Sequence, residues 1–196
     1  MPFLVRVSSL VILMSVLILT RWLQQNVWLM LILRVSWWID MCLICQRIEL
    51  IKAGENPYFV KELETGYVVI GDHQYFAGYS LFLAKEHVTE LHHLEKETRL
   101  RFLEEMSLVQ EAVAKAFAAE KMNIELLGNG DAHLHWHLFP RQRGDMNGYG
   151  LNGRGPVWWV PFEEMTAETC QAKPDEIKRL VKRLSLEVDK LLEIKE

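Results

Sequence analysis

Three histidines alternate with large apolar residues between His133 and Phe139, and imidazole is the side chain best suited to chemistry near neutral pH. Successive side chains of an extended strand point to opposite faces of a sheet. We therefore expect His133, His135 and His137 to share one face, each about 6–7 Å from the next. The residues between them are expected to point into a core: Leu134, Trp136 and Leu138.

Histidines in this arrangement support either metal binding or nucleophilic catalysis. Two histidines two positions apart on a strand can chelate zinc, with a cysteine or carboxylate from elsewhere closing the site. Alternatively, one imidazole attacks phosphorus to form a covalent intermediate, while its neighbours hold its tautomer and protonate the leaving oxygen. The turn at 128–131, which includes Asn129, offers backbone N–H groups to an anion, and Arg141 and Arg143 offer charge-assisted contacts to phosphate.

The segment from His133 to Phe139, with the Pro-Arg that follows, resembles the signature of the histidine-triad (HIT) superfamily of nucleotide hydrolases and transferases. Three further pieces occur in the order expected for that family. They are the Cys-x-x-Cys at 42–45, the stretch at 78–87 and the long helix predicted before the triad. The resemblance covers most of the chain from Met41 to about Pro161.

The resemblance implies an α+β fold with an antiparallel sheet of about five strands and flanking helices, assembled as a homodimer. It also implies that His135 attacks the α-phosphate, that His137 assists the leaving group and that His133 supports the nucleophile. The expected activity is hydrolysis of dinucleoside polyphosphates, with diadenosine tetraphosphate as the leading candidate. Three alternatives stay open: a nucleoside phosphoramidase, a zinc-dependent hydrolase with the histidines as ligands, and a nucleotide-binding module with weak catalysis.

The chain departs from the family pattern at Tyr79, where many members carry a fourth histidine that supports the triad. Either the phenol takes over that support or the support is absent. Asp72 lies near the residue that contacts ribose in the family, although its spacing to Tyr79 does not match cleanly. Asp72, Asn129 and Arg141 are therefore the expected substrate-binding residues.

Cys42 and Cys45 alone fit a zinc half-site, a redox pair or two packed thiols. Some relatives bind structural zinc with such a pair and two histidines, which implies a zinc site at Cys42, Cys45, His87 and His133 here. His133 is then shared between the metal and the triad. No organic cofactor is expected. Cys170 is the third and last cysteine, and an odd total of three excludes a disulfide framework.

Composition narrows the choice of partners. The formal net charge of −4 argues against a nucleic-acid surface built on bulk electrostatics, although it leaves room for a small phosphate ligand held by local donors. Half of the 196 residues are hydrophobic, which is ample for one core. A nucleotide-sized substrate is the expected ligand.

The first forty residues form an apolar leader whose charges are confined to Arg6, Arg21, Arg34 and Asp40. Three interpretations are open: a membrane anchor or membrane-lying helix, an imperfect signal peptide, or an upstream extension of the reading frame with the start at Met41. A start at Met41 implies a cytoplasmic protein, and a genuine leader implies membrane association. The arginine in the middle of the apolar stretch is unfavourable for a spanning helix.

The chain is expected to divide into the leader at 1–40, a HIT-like domain at 41–163 and a C-terminal helical extension at 164–196. Helical spacing of apolar residues predicts one helix over 95–119 and another that begins at Pro174. Short apolar runs bounded by turn residues predict strands. These strands lie at 59–63, 67–71, 79–83, 124–127 and from 133 up to Pro140.

Overall fold

The computed structural model describes residues 42–149 and 153–194. Within them the chain forms a five-stranded antiparallel sheet. Its strands are β1 (Phe59–Glu62), β2 (Gly66–Ile70), β3 (Ser80–Ala84), β4 (Lys121–Glu125) and β5 (His135–Arg141). They lie side by side in the order β1, β2, β3, β5, β4, and every neighbouring pair is antiparallel. The expected α+β class and five-stranded sheet are confirmed.

The described residues also form α-helices before, between and after the strands. They are α1 (Leu43–Lys52), α2 (Lys96–Phe117), α3 (Phe162–Met165) and α4 (Pro174–Glu193). Helix α2 ends where Ala118 adopts a left-handed conformation, and proline opens α4, where its missing N–H costs nothing. Both long helices match the sequence prediction, whereas α1 was not predicted because it is short and its apolar pattern is weak.

Helices α2 and α4 cover one face of the sheet and form the main core with it. Phe82 of β3 stacks on Phe102 of α2 with ring centroids 4.9 Å apart, and both side chains are fully buried. Burial of each such side chain contributes about 1.5–3 kcal/mol. Val68 of β2 and Leu138 of β5 point into the same core. Because side chains alternate along a strand, the neighbours of these residues face the other side of the sheet.

A buried carboxylate ties α2 to the turn between β1 and β2. Glu105 accepts hydrogen bonds from the backbone N–H groups of Glu64 and Thr65, each at 2.9 Å, and a further bond from the Thr65 hydroxyl. These bonds replace the water that the turn and the carboxylate lose on folding. The helical pattern of α2 did not distinguish this acid from the exposed acids around it.

The histidine segment differs from prediction at both ends. Strand β5 begins at His135, so His133 lies just before it, and the strand continues through Pro140 to Arg141. Proline is tolerated there because β3 pairs with β5 only up to Leu138, so no β3 residue is left to accept a hydrogen bond from the N–H that proline lacks.

Strand β4 also differs from prediction. It spans Lys121–Glu125, which corrects the predicted strand at 124–127 by about three residues.

The leader at 1–40 lies outside the described residues, so its three interpretations stay predictions. The helices in the described part of the chain are all too short or too polar to cross a membrane.

Candidate active site

Two of the three histidines meet on the open face of the sheet. His135 and His137 project from β5, and their Nε2 atoms lie 3.0 Å apart. The rings are inclined by 64° with centroids 4.6 Å apart. The two imidazoles therefore form a directly hydrogen-bonded pair, as the alternation of the strand predicts.

His135 is oriented by the backbone. Its Nδ1 lies 2.5 Å from the carbonyl oxygen of His133. A carbonyl only accepts hydrogen bonds, so Nδ1 carries the proton and the Nε2 of neutral His135 keeps its lone pair. A lone pair held at a fixed nitrogen is what a nucleophile requires.

His137 is partly buried between His135 and Tyr79. The Tyr79 hydroxyl lies 2.7 Å from Nδ1 of His137. Burial, together with the charge of neighbouring His135, lowers the pKa of His137 to about 4. Burial also raises the pKa of Tyr79 above its ordinary value, so the phenol keeps its proton. At neutral pH the side chains of His137 and Tyr79 are both uncharged.

The histidine pair opens into a cavity of about 350 Å³, within the usual size range of small-molecule sites. One wall comes from the sheet, including Val69 and Leu81. Another comes from residues after the triad, including Trp158 and Phe162, whose rings are partly exposed. Trp158 meets His137 edge-on, with centroids 6.0 Å apart and planes at 89°. The cavity thus combines an apolar lining with a few polar groups.

An ion pair that the sequence did not predict lies at the same cavity. Arg47 of α1 binds the carboxylate of Asp72 through both terminal nitrogens, with Nη1 2.9 Å from Oδ1. This hydrogen bond raises the pKa of Arg47. Among the described residues that line the cavity, Arg47 is the sole arginine or lysine. The sequence did not predict α1, so Arg47 could not be distinguished there from an ordinary solvated charge. Its role at the cavity becomes evident from the position of α1 in the structure.

Of the three predicted substrate-binding residues, the structure brings one to the cavity. Asp72 lines the cavity, in its pair with Arg47. Asn129 is exposed and is not among the lining residues, although Asp131 of the same turn is. The structure does not bring Arg141 to the cavity: its side chain is buried, with Nη2 2.6 Å from Oδ1 of Asp145. We therefore withdraw Arg141 as a phosphate contact at this cavity, because it is not among the residues that line it.

Four potential metal ligands converge beside the histidine pair: Cys42, Cys45, His87 and His133. Their ligand atoms all lie within 4.8 Å of one another. The Nδ1 atoms of His87 and His133 lie 3.2 and 3.5 Å from the Cys45 sulfur. These are the residues that the family resemblance implied. Two thiolates and two imidazoles are a donor set that zinc accepts in closed tetrahedral sites.

His133 is oriented for such a role. Its side chain is fully buried, and its Nε2 lies 2.9 Å from the carbonyl oxygen of Ala84. Nε2 must therefore carry the proton, which leaves the Nδ1 lone pair directed at the cysteine cluster. Its imidazole thus faces the cluster, while its backbone carbonyl orients His135. His135 and His137 meet as a pair at the cavity, whereas the ring of His133 lies in the cysteine cluster beside them.

Helix α1 connects the two groups of residues. Cys45 belongs to the metal-ligand cluster, while Ile44 and Arg47 line the cavity. These positions fall within four consecutive residues of one helix. A metal that fixes Cys45 therefore also fixes one wall of the cavity.

Comparisons with known proteins concern the domain and its fold. Residues 60–144 match the family model of the HIT domain. No curated protein sequence matches the chain. Among solved structures, the chain is similar to a histidine triad (HIT) protein from Sinorhizobium meliloti 1021. The TM-score is 0.56 at 24% identity, over 66% of this chain and 87% of that chain.

Two further solved structures are similar over much of the chain. A histidine triad protein from Marinobacter aquaeolei VT8 gives a TM-score of 0.55 at 21% identity, covering 68% of this chain and 89% of that one. A Zn-bound histidine triad family protein from Mycobacterium smegmatis gives a TM-score of 0.53 at 18% identity, covering 80% and 99%. At these identities the likeness concerns the fold.

Proposed function

The chain belongs to the HIT superfamily through its domain at 60–144, and we propose that it hydrolyses dinucleoside polyphosphates through a nucleotidyl intermediate on His135. One observation carries this proposal. The Nδ1 of His135 is held by the His133 carbonyl at 2.5 Å, so the lone pair of Nε2 lies at the cavity, where it accepts from Nε2–H of His137 until a phosphorus atom takes that place. The arrangement supplies a nucleophile that needs no separate base to remove a proton.

The reaction follows from this geometry in two steps. Nε2 of His135 attacks the α-phosphorus, an N–P bond forms, and the P–O bond to the rest of the polyphosphate breaks. The electron pair of that bond leaves with the oxygen. The proton stays on Nδ1 and keeps its hydrogen bond to the His133 carbonyl, which stabilises the positive charge of the ring. Water then attacks phosphorus, the N–P electron pair returns to Nε2, and one proton passes to bulk water.

The state of His137 favours phosphoanhydrides over phosphoramidates as substrates. With its pKa lowered to about 4 by burial and by His135, this imidazole is neutral at pH 7. A neutral imidazole donates a hydrogen bond to a leaving oxygen, but it is a weak acid. A polyphosphate leaves as a stable anion, whereas an amine has to be protonated before it leaves. Nucleoside phosphoramidates are therefore the second candidate substrates.

Diadenosine tetraphosphate is the leading candidate within this substrate class. Phosphates at His135 come within the same cavity as Arg47, whose guanidinium is suited to planar, charge-assisted contact with phosphate oxygens. Aromatic rings at the other wall, Trp158 and Phe162, are suited to contact with a base. Asp72 is the candidate for ribose hydroxyl groups, as the family resemblance implies.

We also propose a structural zinc ion at Cys42, Cys45, His87 and His133. Support comes from the convergence of the ligand atoms and from the bond between His133 and Ala84, which places the lone pair of Nδ1 on the side of the Cys45 sulfur. Zinc at such a site contributes folding free energy and no reaction step. Because His133 is the triad histidine in this cluster, we do not propose a hydrolase in which all three histidines bind zinc.

Assembly and location remain proposals. The family resemblance favours a homodimer, and light scattering of the purified protein measures its mass directly. A cytoplasmic location is proposed if translation starts at Met41, and membrane association is proposed if the leader is retained.

Trapping of the intermediate tests the proposed function. The protein is mixed with diadenosine tetraphosphate labelled at the α-phosphate and quenched in base, where an N–P bond on histidine survives. We expect labelled protein and, in His135→Ala, no label. Turnover in that variant should fall by about a thousandfold or more, because the nucleophile is lost. His92→Ala, which changes an exposed histidine outside the cavity, is the matched control.

Three other outcomes contradict the proposal in different ways. Turnover of an adenosine phosphoramidate alone makes the protein a phosphoramidase. Binding of nucleotides with no turnover of either substrate makes it a binding module. Turnover by His135→Ala above a tenth of the wild-type rate excludes His135 as the nucleophile.

A further inference from the structure

Trp158 is held at the cavity by a hydrogen bond from its indole ring. The indole has a single N–H, and Nε1 donates it to Oε2 of Glu125 in β4. The backbone around Trp158 is anchored separately, because Val157 and Val160 are buried in a second core cluster together with Phe139. Trp158 itself is 38% exposed, so burial does not fix its side chain. The two valines therefore place the backbone, and Glu125 determines where the indole lies.

This hydrogen bond places the indole at one end of the histidine pair. Glu125 lies directly opposite His137 in the register between β4 and β5, so both side chains leave the same face of the sheet. Trp158 meets His137 and Phe139 edge-on, with ring centroids 6.0 and 5.9 Å apart. Phe139 follows His137 on that face, on the side away from His135. Trp158 therefore lies beyond His137, at the end of the pair opposite to His135.

The end of the pair beyond His137 faces the leaving half of the proposed substrate. In the proposed function, on which this inference rests, His135 attacks the α-phosphorus and His137 contacts the leaving oxygen. Trp158 lines the same cavity, next to His137. We propose that Glu125 is a positioning residue that selects substrates with a nucleoside on the leaving half, because it holds the indole of Trp158 where the base of that half stacks.

The consequence is a difference in affinity between two nucleotides with equal numbers of phosphates. Diadenosine tetraphosphate and adenosine tetraphosphate share the adenylyl half that His135 receives, and they differ in the adenosine on the leaving half. Stacking of a base on an aromatic ring raises affinity by about fivefold or more. Without an acceptor for its N–H, the indole of Trp158 gains other rotamers, and ordering it on the base then opposes binding. Loss of the acceptor should therefore weaken binding of the dinucleoside selectively.

Binding of uncleavable analogues to the full-length protein tests the proposal without turnover. The probes are diadenosine tetraphosphate and adenosine tetraphosphate with methylene groups in place of every α–β bridging oxygen, and calorimetry measures the Kd of each. Glu125→Gln is the matched control for Glu125→Leu, because glutamine removes the same charge and keeps an oxygen that accepts from the indole. We expect Glu125→Leu to bind the dinucleoside analogue about fivefold more weakly than Glu125→Gln does, with equal affinity for the mononucleotide analogue.

NMR of the indole N–H reports the position of Trp158 independently. Full-length protein is labelled with ¹⁵N-tryptophan, and the resonance of Trp158 is assigned by its loss in Trp158→Phe. An N–H that donates to a carboxylate resonates downfield, so the resonance should move upfield in Glu125→Leu and move less in Glu125→Gln. Trp159→Phe changes an exposed tryptophan that does not line the cavity, and it should bind both analogues as the wild type does.

Two results overturn the inference: an unchanged Trp158 resonance in folded Glu125→Leu, or an equal affinity of Glu125→Leu and Glu125→Gln for the dinucleoside analogue. Trp158→Phe, which keeps a ring but lacks the N–H, should show the same selective loss, and its absence there overturns the inference even if Glu125→Leu does not fold. Selective loss in a protein that hydrolyses neither nucleotide supports the inference and contradicts the proposed function. Turnover without selective loss contradicts the inference alone.

Discussion

The lowered pKa of His137 makes a measurable part of the stability depend on pH. In the folded protein this imidazole has a pKa of about 4, because it is buried and lies beside His135. In the unfolded chain it returns to its ordinary value of 6.5. Below pH 6.5 the unfolded chain therefore takes up a proton that the folded chain does not bind. The contribution is fully present above pH 6.5 and is lost as the pH falls toward 4.

The size of the effect follows from proton linkage. With these two pKa values, His137 alone lowers the free energy of unfolding by about 2 kcal/mol between pH 7.5 and pH 5. Carboxylates and the other histidines also contribute to the total pH dependence. These contributions cancel when the wild type is compared with His137→Gln, because the other groups are present in both proteins. The variant should therefore lose about 2 kcal/mol less than the wild type over this interval.

Urea unfolding at several pH values between 5 and 7.5 measures the difference, with equal metal content in all samples. His92→Gln makes the same chemical change at an exposed position and should retain the wild-type slope. Parallel curves for the wild type and His137→Gln would refute the reasoning, because they would mean that His137 binds its proton equally well in both states.

Further predictions concern other described groups. Arg47→Ala should raise KM for diadenosine tetraphosphate by about tenfold or more, measured by steady-state kinetics, because a charge-assisted phosphate contact is lost. The double variant Cys42→Ser, Cys45→Ser should lose about one zinc per chain by elemental analysis and several kcal/mol of stability, while Cys170→Ser keeps its metal. Glu105→Ala should lower the free energy of unfolding by about 2–4 kcal/mol, measured in urea, because two backbone N–H groups lose their acceptor.

Short-range periodicity predicted the parts of the site that lie on one strand. His135 and His137 share a face because side chains alternate along β5, and the fold class follows from strands and one long helix in tight succession. The metal-ligand cluster was implied by a resemblance and by spacing. Alternation does not show that the His133 ring lies in the cysteine cluster while its carbonyl holds His135, because that division of roles depends on the position of α1.

The sequence did not predict the roles of residues whose contacts lie far away along the chain. Arg47 became visible only once α1 lay beside Asp72, 25 residues further along the chain. Arg141 looked like a phosphate contact because it follows the triad, yet the loop after β5 turns back and offers it Asp145 instead. Tyr79 was recognised as a departure from the family, but its bond to His137 depends on the register between β3 and β5.

The position of α1 has a thermodynamic consequence for the two sites that it joins. Cys45 and Arg47 lie two residues apart on a rigid helix, one in the metal-ligand cluster and the other at the cavity. If the metal holds the helix in the orientation that nucleotide requires, the two binding equilibria are coupled. Such coupling is reciprocal: the factor by which zinc tightens nucleotide binding is the factor by which nucleotide tightens zinc binding. A saturated cavity should therefore raise the chelator concentration that removes half of the metal at equilibrium, which gives the nucleotide a protective role toward the fold.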